Sequence, residues 1–296
     1  MKAKLKFLIR SALRQFVPAR QLCPNCGGEG SFVARKYLVA VLRRCRECQL
    51  QYRTPTDRPH EAAEFYDSRY EEGPATILPD EAELDQMKAE GFSSLANDYT
   101  SFARLLRDLG AEEGARVFDY GCSWGYGSWL FEQAGFAVTA FEISRQKSDF
   151  AKRALGVEAI PDFNAFAAAR PEEFDVFFSL HVLEHVPAPG EIIRQGMDLL
   201  RPGGLFVAIV PNGTLDYRMA DPGSWRQLWG KVHPNFLDDR FFEAAAGDLV
   251  RLHASFPVAI GSRARAHLEG NDREALRLNG LTRYELLFAA RKPAQV

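Results

Sequence analysis

Residues 116–142 read RVFDYGCSWGYGSWLFEQAGFAVTAFE, and the reading of this stretch decides the fold. Val117 and Phe118 are β-formers in a short apolar run, which predicts a buried strand. Gly121, Gly125 and Gly127 then permit a tight turn and a close approach of backbone to a ligand. Trp129, Leu130 and Phe131 follow in a proline-free segment, read as a helix. A second apolar run, Phe136 to Phe141, ends in Glu142. Strand, glycine turn, helix and strand predict an open parallel sheet, whose ligands bind at the carboxyl ends of its strands. An acid closing the second strand suits a ribose, because a carboxylate accepts two hydrogen bonds at once.

The alternation continues outward. Arg145–Leu155 reads as a helix and Val157–Ile160 as a short strand, followed by Asp162 and Phe163. Phe174–Leu180 is a fourth strand, and Leu205–Val210 a fifth after the turn Pro202-Gly203-Gly204. Leu249–Ala254 and Tyr284–Ala290 supply two more, so the pattern is that of a parallel α/β sheet. Upstream, Phe92, Leu95, Tyr99, Phe102, Leu105, Leu106 and Leu109 form a helical stripe that packs on the sheet. Tyr66 and Tyr70 are candidates for a lid over the ligand.

The chemistry of the turn narrows the ligand. Asp119 stands two residues before Gly121, where a carboxylate repels a pyrophosphate and attracts a cation. The stretch resembles motif I of class I S-adenosylmethionine (SAM) methyltransferases, whose ligand carries an ammonium and a sulfonium. Ser123 stands where the family's D-x-G-x-G-x-G has its middle glycine. FDVFFSLHVLEHV (174–186) and LLRPGGLFVAIVPN (199–212) resemble the family's fourth- and fifth-strand motifs, and HPNFLDDRFF (233–242) is similar to a later segment that precedes a helix. The resemblance covers roughly Val117 to Asn212. It implies a Rossmann-like α/β fold with a seven-stranded sheet, the last strand antiparallel, and helices on both faces. It also implies SAM as cofactor. Asp119, Gly121 and Gly125 would hold its methionine end, and Glu142 its ribose. Asp162 and Phe163 would contact the adenine, and Leu180 and His181 would face the cofactor from the fourth strand.

Four cysteines near the start form two CxxC pairs, Cys23/Cys26 and Cys45/Cys48. Two short loops each offering two thiolates make a tetrahedral zinc site. The β-rich SFVARKYLVAVLRRC between them reads as a zinc ribbon, and four protein ligands leave no open position, so the zinc is structural. Two disulfides are the competing reading, disfavoured without a secretion signal; an iron–sulfur cluster is another. Cys122 reads as a small buried side chain. A CxxC ribbon ahead of such a domain resembles a bacterial subgroup that includes sugar methyltransferases.

The 296 residues, 46% hydrophobic and 26% charged, suffice for a sizeable core. No apolar run reaches the ~20 residues of a membrane span. The basic N-terminus lacks the apolar run and cleavage site of a signal peptide, which predicts a cytoplasmic enzyme. The net charge of −2 conceals an uneven distribution. Residues 1–58 hold 13 Lys/Arg against 3 Asp/Glu. Within them Leu5, Leu8, Ile9, Leu13, Phe16 and Val17 recur at helical spacing, flanked by Lys2, Lys4, Lys6, Arg10, Arg14 and Arg20. A basic amphipathic helix at 1–20 suits peripheral contact with the inner face of a membrane; packing on the protein itself, or RNA binding, competes. The expected order is helix 1–20, zinc ribbon 21–54, linker and helical lid 55–110, and methyltransferase domain 111–296.

Methyl transfer needs an aligned acceptor and removal of its proton. Histidine suits the second task, and His181, His185 and His233 are the candidates, in that order. His181-Val-Leu-Glu184-His185 also matches a zinc-protease signature, but that needs a long helix, and Pro187 and Pro189 forbid one. A divalent metal on His181, Glu184 and His185 is a further reading, as some quinone-precursor methyltransferases resemble this. The other is that Glu184 and His185 tie the loop to its neighbours. The expected function is SAM-dependent methylation of an oxygen or carbon on a sugar, glycolipid or other small-molecule acceptor. The alternatives are an RNA methyltransferase that grips nucleic acid with its basic ribbon, and a non-catalytic binding protein.

Overall fold

A computed structural model describes residues 11–57, 77–93, 95 and 99–294. Residues 1–10 of the 1–20 segment, and Tyr66 and Tyr70, therefore lie outside the described residues. Residues 11–14 are helical, and Pro18–Arg20 form a 3-10 turn. The ribbon consists of β1 (Gly30–Lys36), β2 (Ala40–Cys45) and β3 (Gln51–Thr54). Helices α1 (Glu81–Ala89) and α2 (Tyr99–Asp108) lead to β4 (Arg116–Tyr120), α3 (Tyr126–Gln133) and β5 (Ala137–Phe141). Next come α4 (Arg145–Phe150), running on as a π-turn over Ala151–Leu155, then β6 (Ala159–Ile160), α5 (Phe163–Ala169), β7 (Phe174–Leu180), α6 (Pro189–Leu199) and β8 (Leu200–Pro211). The chain ends through α7 (Leu215–Ala220), α8 (Pro222–Leu228), β9 (Asn235–Phe236), α9 (Asp239–Ala246), β10 (Val250–Phe256), α10 (Ser262–Glu269), β11 (Leu276–Leu278) and β12 (Glu285–Arg291).

The large sheet runs β11-β10-β12-β8-β7-β4-β5-β6. Strands β4 to β8 pair in parallel, and β12 is antiparallel to both β8 and β10. Seven of these strands were expected; the eighth, β11, is a three-residue edge strand beside β10. It escapes a pattern reading because three residues carry no period.

Alternation along the strands buries both faces. Val117, Val176, Phe178, Val207 and Ile209 pack with residues of α1, α2, α3 and α10. Phe118, Tyr120, Phe177, Phe206 and Ala208 face the other way, onto α5, α6, α9 and the ribbon's Cys23, Cys45, Leu50 and Tyr52. The stripe expected from Phe92 is helical only from Tyr99, where Tyr99, Phe102, Leu105 and Leu106 are buried. Phe92 is buried too, but in a turn, at φ 57°.

The ribbon is not a pendant module. β3 pairs antiparallel with β9, so residues 235–236 complete a four-stranded sheet, β1-β2-β3-β9. Polar contacts fasten the seam: Arg44 pairs with Asp238 at 2.5 Å, Gln51 Nε2 donates to Gly213 O at 2.9 Å, and Gly190 N donates to Asn25 Oδ1 at 2.8 Å. Among the described residues no helix is long and apolar enough to cross a membrane.

Candidate active site

The turn after β4 is built on close contact. Gly121 adopts φ 92°, and a Cβ there would stand 2.3 Å from Val182 Cγ2. Gly125 adopts φ 91°, with Ala151 Cβ 2.8 Å from where its own would be. Gly127 lies under the Tyr99 ring, whose Cζ would be 2.1 Å from a Cβ. Ser123, in place of the middle glycine, takes φ 53°. The left-handed backbone is therefore kept without the glycine, at the cost an L side chain bears there.

Glu142 ends β5 and steers this turn. Its Oε2 accepts from Ser123 N at 3.0 Å and its Oε1 from Ser144 N at 2.8 Å. Each oxygen keeps a second lone pair, so the carboxylate can still receive two hydroxyls. Asp119 is 1% exposed and accepts from Ser128 Oγ at 2.6 Å. Burial pushes its pKa up to about 7, with Glu142 adding to the rise and Ser128 opposing it. A cation brought beside it regains that lost stabilisation, so the site favours a positively charged ligand. Ser128 was not singled out in the sequence, although a small polar residue in the helix's first turn was its only signal.

Asp162, at the end of β6, caps α5 by accepting from Ala165 N at 3.0 Å. Phe163 is buried, its ring 4.7 Å from Tyr120 and 5.7 Å from Phe141, centroid to centroid. Leu180 is buried at the end of β7, and His181 follows at φ 52°.

The loop after β7 gathers a second cluster. His181 Nε2 lies 2.7 Å from Glu285 Oε1 on β12, and its Nδ1 3.4 Å from Glu184 Oε1. Burial alone lowers the His181 pKa, but the carboxylates of Glu184 and Glu285 outweigh it and lift it to about 10. The two carboxylates thus favour the charged form of the His181 ring. Glu285, 104 residues away in the chain, gave no signal in the sequence.

Glu184 is 1% exposed, and neither of its oxygens has a hydrogen-bond partner among the described residues. Burial would raise its pKa, but His185, His181 and His233 around it hold it at about 2, fully ionised. His185 Nδ1 lies 3.0 Å from Val232 O, and His233 Nδ1 2.5 Å from Leu228 O. A carbonyl only accepts, so both Nδ1 atoms carry a proton, which leaves Nε2 of each ring as the atom that can serve as a ligand. Burial pulls the His185 pKa down to about 4, and Glu184 pulls it the other way. Glu184, His185 and His233 each offer one ligand atom, all within 4.8 Å of one another. Two imidazoles oriented through Nδ1 around a buried carboxylate form a donor set suited to a divalent cation. His233 joins this set, and His181, expected in it, belongs to the pair with Glu285 instead.

Cys23, Cys26, Cys45 and Cys48 also converge within 4.8 Å, with Sγ···Sγ of 3.6 Å for Cys23–Cys48 and 3.4 Å for Cys26–Cys45. Four sulfurs at ~2.3 Å from a tetrahedral zinc would lie about 3.8 Å apart, so the cage is near the required size. All five cysteines are free thiols, so the two-disulfide reading fails. Cys122 is buried within the turn, as expected.

Among known proteins, a family model described as a methyltransferase domain matches residues 95–248, which leaves the ribbon's first three strands outside it. A ubiquinone biosynthesis O-methyltransferase of Caulobacter sp. (strain K31) is 32% identical over 182 residues, covering 54% of this chain and 69% of that protein. The protein of the same name from Caulobacter vibrioides is 34% identical over 182 residues, with the same two coverages. In structure, a geranyl diphosphate C-methyltransferase from Streptomyces coelicolor A3(2) covers 80% of this chain and 99% of its own, at 15% identity and a TM-score of 0.48.

Proposed function

The chain belongs to the class I SAM-dependent methyltransferases, and from that premise we propose that it moves the methyl group of SAM to an oxygen of a small-molecule acceptor. It is an enzyme whose cofactor supplies the reactive methyl on a positive sulfur. The observation that carries the oxygen acceptor is the cluster of Glu184, His185 and His233 beside the end of β7, a buried carboxylate faced by two imidazole rings. The named relatives, O-methyltransferases of ubiquinone biosynthesis, favour oxygen over carbon and lead away from the sugar and glycolipid acceptors expected from the ribbon.

The methionine end of SAM is assigned to Asp119 and the backbone of Gly121 and Gly125, and its ribose to Glu142. Asp162 is assigned to the adenine; the Phe163 ring is buried, so that residue contributes through its backbone. Leu180 and His181 border the methyl. His181, held between Glu184 and Glu285, is assigned to orient the acceptor as a hydrogen-bond donor. Glu184, His185 and His233 would hold a divalent cation, which when bound lowers the pKa of a hydroxyl at neutral pH. The buried Glu184 charge and the two fixed rings keep that geometry in place before the acceptor arrives.

An RNA acceptor is disfavoured by where four of the ribbon's five arginines go. Arg44 pairs with Asp238, Arg53 with Asp57 and Arg46 with Glu29, while Arg43 donates to Gly30 O. The N-terminal segment is proposed to rest on an anionic membrane. Leu13 and Phe16, 71% and 89% exposed, leave apolar surface for it.

The test is calorimetry with SAM, followed by methyl transfer to a panel of phenolic and alcoholic acceptors read as S-adenosylhomocysteine (SAH) released. Wild type binds and Glu142→Ala binds at least tenfold more weakly. No heat and no thermal shift at millimolar SAM would overturn the reading, because a ligand of the folded state must stabilise it. Metal analysis of Glu184→Gln and His233→Ala separates a cation site from a base.

A further inference from the structure

We propose that the cleft between the ribbon and the segment after β8 is an oxyanion subsite for the acceptor, taking a phosphate or carboxylate carried on a flat apolar body. This deepens the methyltransferase reading and rests on it. The cleft holds about 280 Å³, and Phe32, Arg44, Gln51, Arg218, Trp225 and Arg240 are among its walls. Its lining includes three arginines and no carboxylate. A cleft lined by more cations than acids favours an anion, and the planar guanidinium fork matches carboxylate and phosphate oxygens in pairs.

The arginines are not equivalent. Arg44 is offset by Asp238, which is itself 1% exposed and also receives Gln51 Nε2 at 3.1 Å. Arg218 lies over the Trp225 ring at 4.7 Å, which holds the guanidinium while leaving its N–H edge available. Arg240 is exposed and makes no ion pair among the described residues. Its acidic neighbour Asp239 is committed to Arg277 at 2.7 Å. Two cations therefore remain for an incoming oxyanion. The apolar wall is Phe32, 62% exposed on β1, a flat ring on which an apolar body can stack.

The position fits an acceptor. Gly213, part of the lining, lies two residues past Pro211, the last of β8. In the sheet β8 neighbours β7, which carries His181, and β7 neighbours β4, which leads into the glycine turn. Two strand spacings make about 10 Å, the reach of a ring with a short arm. The cleft also gives the ribbon a task, because five of its eleven lining residues come from it.

The experiment titrates phenyl phosphate, benzoate and neutral phenol into the full chain saturated with SAH, by calorimetry. Phenyl phosphate or benzoate binds at least tenfold more tightly than phenol, and the stronger of the two names the oxyanion. Arg240→Gln weakens that binding about tenfold and Arg218→Gln/Arg240→Gln further, while SAH affinity is unchanged. Phe32→Ala weakens phenyl phosphate but not inorganic phosphate. Equal binding of phenol and the oxyanions, or oxyanion binding untouched in the arginine variants, would overturn the proposal. If the double variant fails to fold, the exposed Arg240→Gln alone decides. Intact oxyanion binding in a chain that does not bind SAH would instead remove the methyltransferase reading and leave the cleft standing.

Discussion

Replacing Gly121 by alanine tests whether the turn after β4 is held by close packing against the loop after β7. Two penalties arise. At φ 92° a Cβ is unwelcome on backbone grounds alone, costing about 1–2 kcal/mol. The same Cβ would stand 2.3 Å from Val182 Cγ2, and forcing that fit costs about 1–3 kcal/mol. The sum is about 2–5 kcal/mol, since both penalties fall on one atom. Removing the Val182 methyls lifts only the second. Urea denaturation of wild type, Gly121→Ala, Val182→Ala and the double variant forms a cycle that isolates the clash. The double variant should be at least about 1 kcal/mol more stable than the sum of the singles. Additive singles, or Gly121→Ala within about 0.5 kcal/mol of wild type, would refute the reasoning. SAM affinity should fall in both Gly121 variants, because the strained backbone is the part that approaches the cofactor.

Metal analysis of protein purified without chelator should give zinc held by the four cysteines, and Cys23→Ser/Cys26→Ser should lose it, with a lowered melting temperature. Retention of zinc by that variant would remove the ribbon assignment. His253 is 0% exposed with no hydrogen bond to either ring nitrogen, and burial lowers its pKa to about 4, Asp239 opposing and Arg277 and Arg251 assisting. Below pH ~6.5 the unfolded chain takes up a proton that the folded chain refuses, so its contribution to stability falls by up to about 3 kcal/mol as pH drops towards 4. The difference in unfolding free energy between wild type and His253→Leu should therefore change across that window; a flat difference would reject it. The full chain should sediment with anionic vesicles more than with neutral ones, and a chain starting at Arg20 should not, whereas equal sedimentation of both chains would return the stripe to protein packing.

The parallel strands and the glycine turn were legible because buried strands and left-handed turns restrict residue choice locally. Ser123 shows the limit of the motif, since the conformation persists where the glycine does not. The cysteine cage was legible from spacing alone. What the sequence concealed are pairings between distant segments. Glu285 reaches His181 from β12, and His233 enters the metal-type cluster only because the ribbon's sheet recruits the two residues just after it. No local period encodes such meetings. The ranking of His181 as first base could not take account of Glu285, a carboxylate 104 residues away that pairs with it.

The pairing of β3 with β9 also imposes an order on biosynthesis. Gln51 and the Phe236 it pairs with are 185 residues apart. At ~5–20 residues per second, a ribosome needs roughly 10–40 s to make the second after the first. Over that interval zinc can already close the cysteine cage of the nascent ribbon, while the outer edge of β3 has no partner. An open edge invites other chains. Arg44, whose partner Asp238 has yet to be translated, leaves a positive charge on the ribbon over that interval, and charge near an edge discourages such pairing.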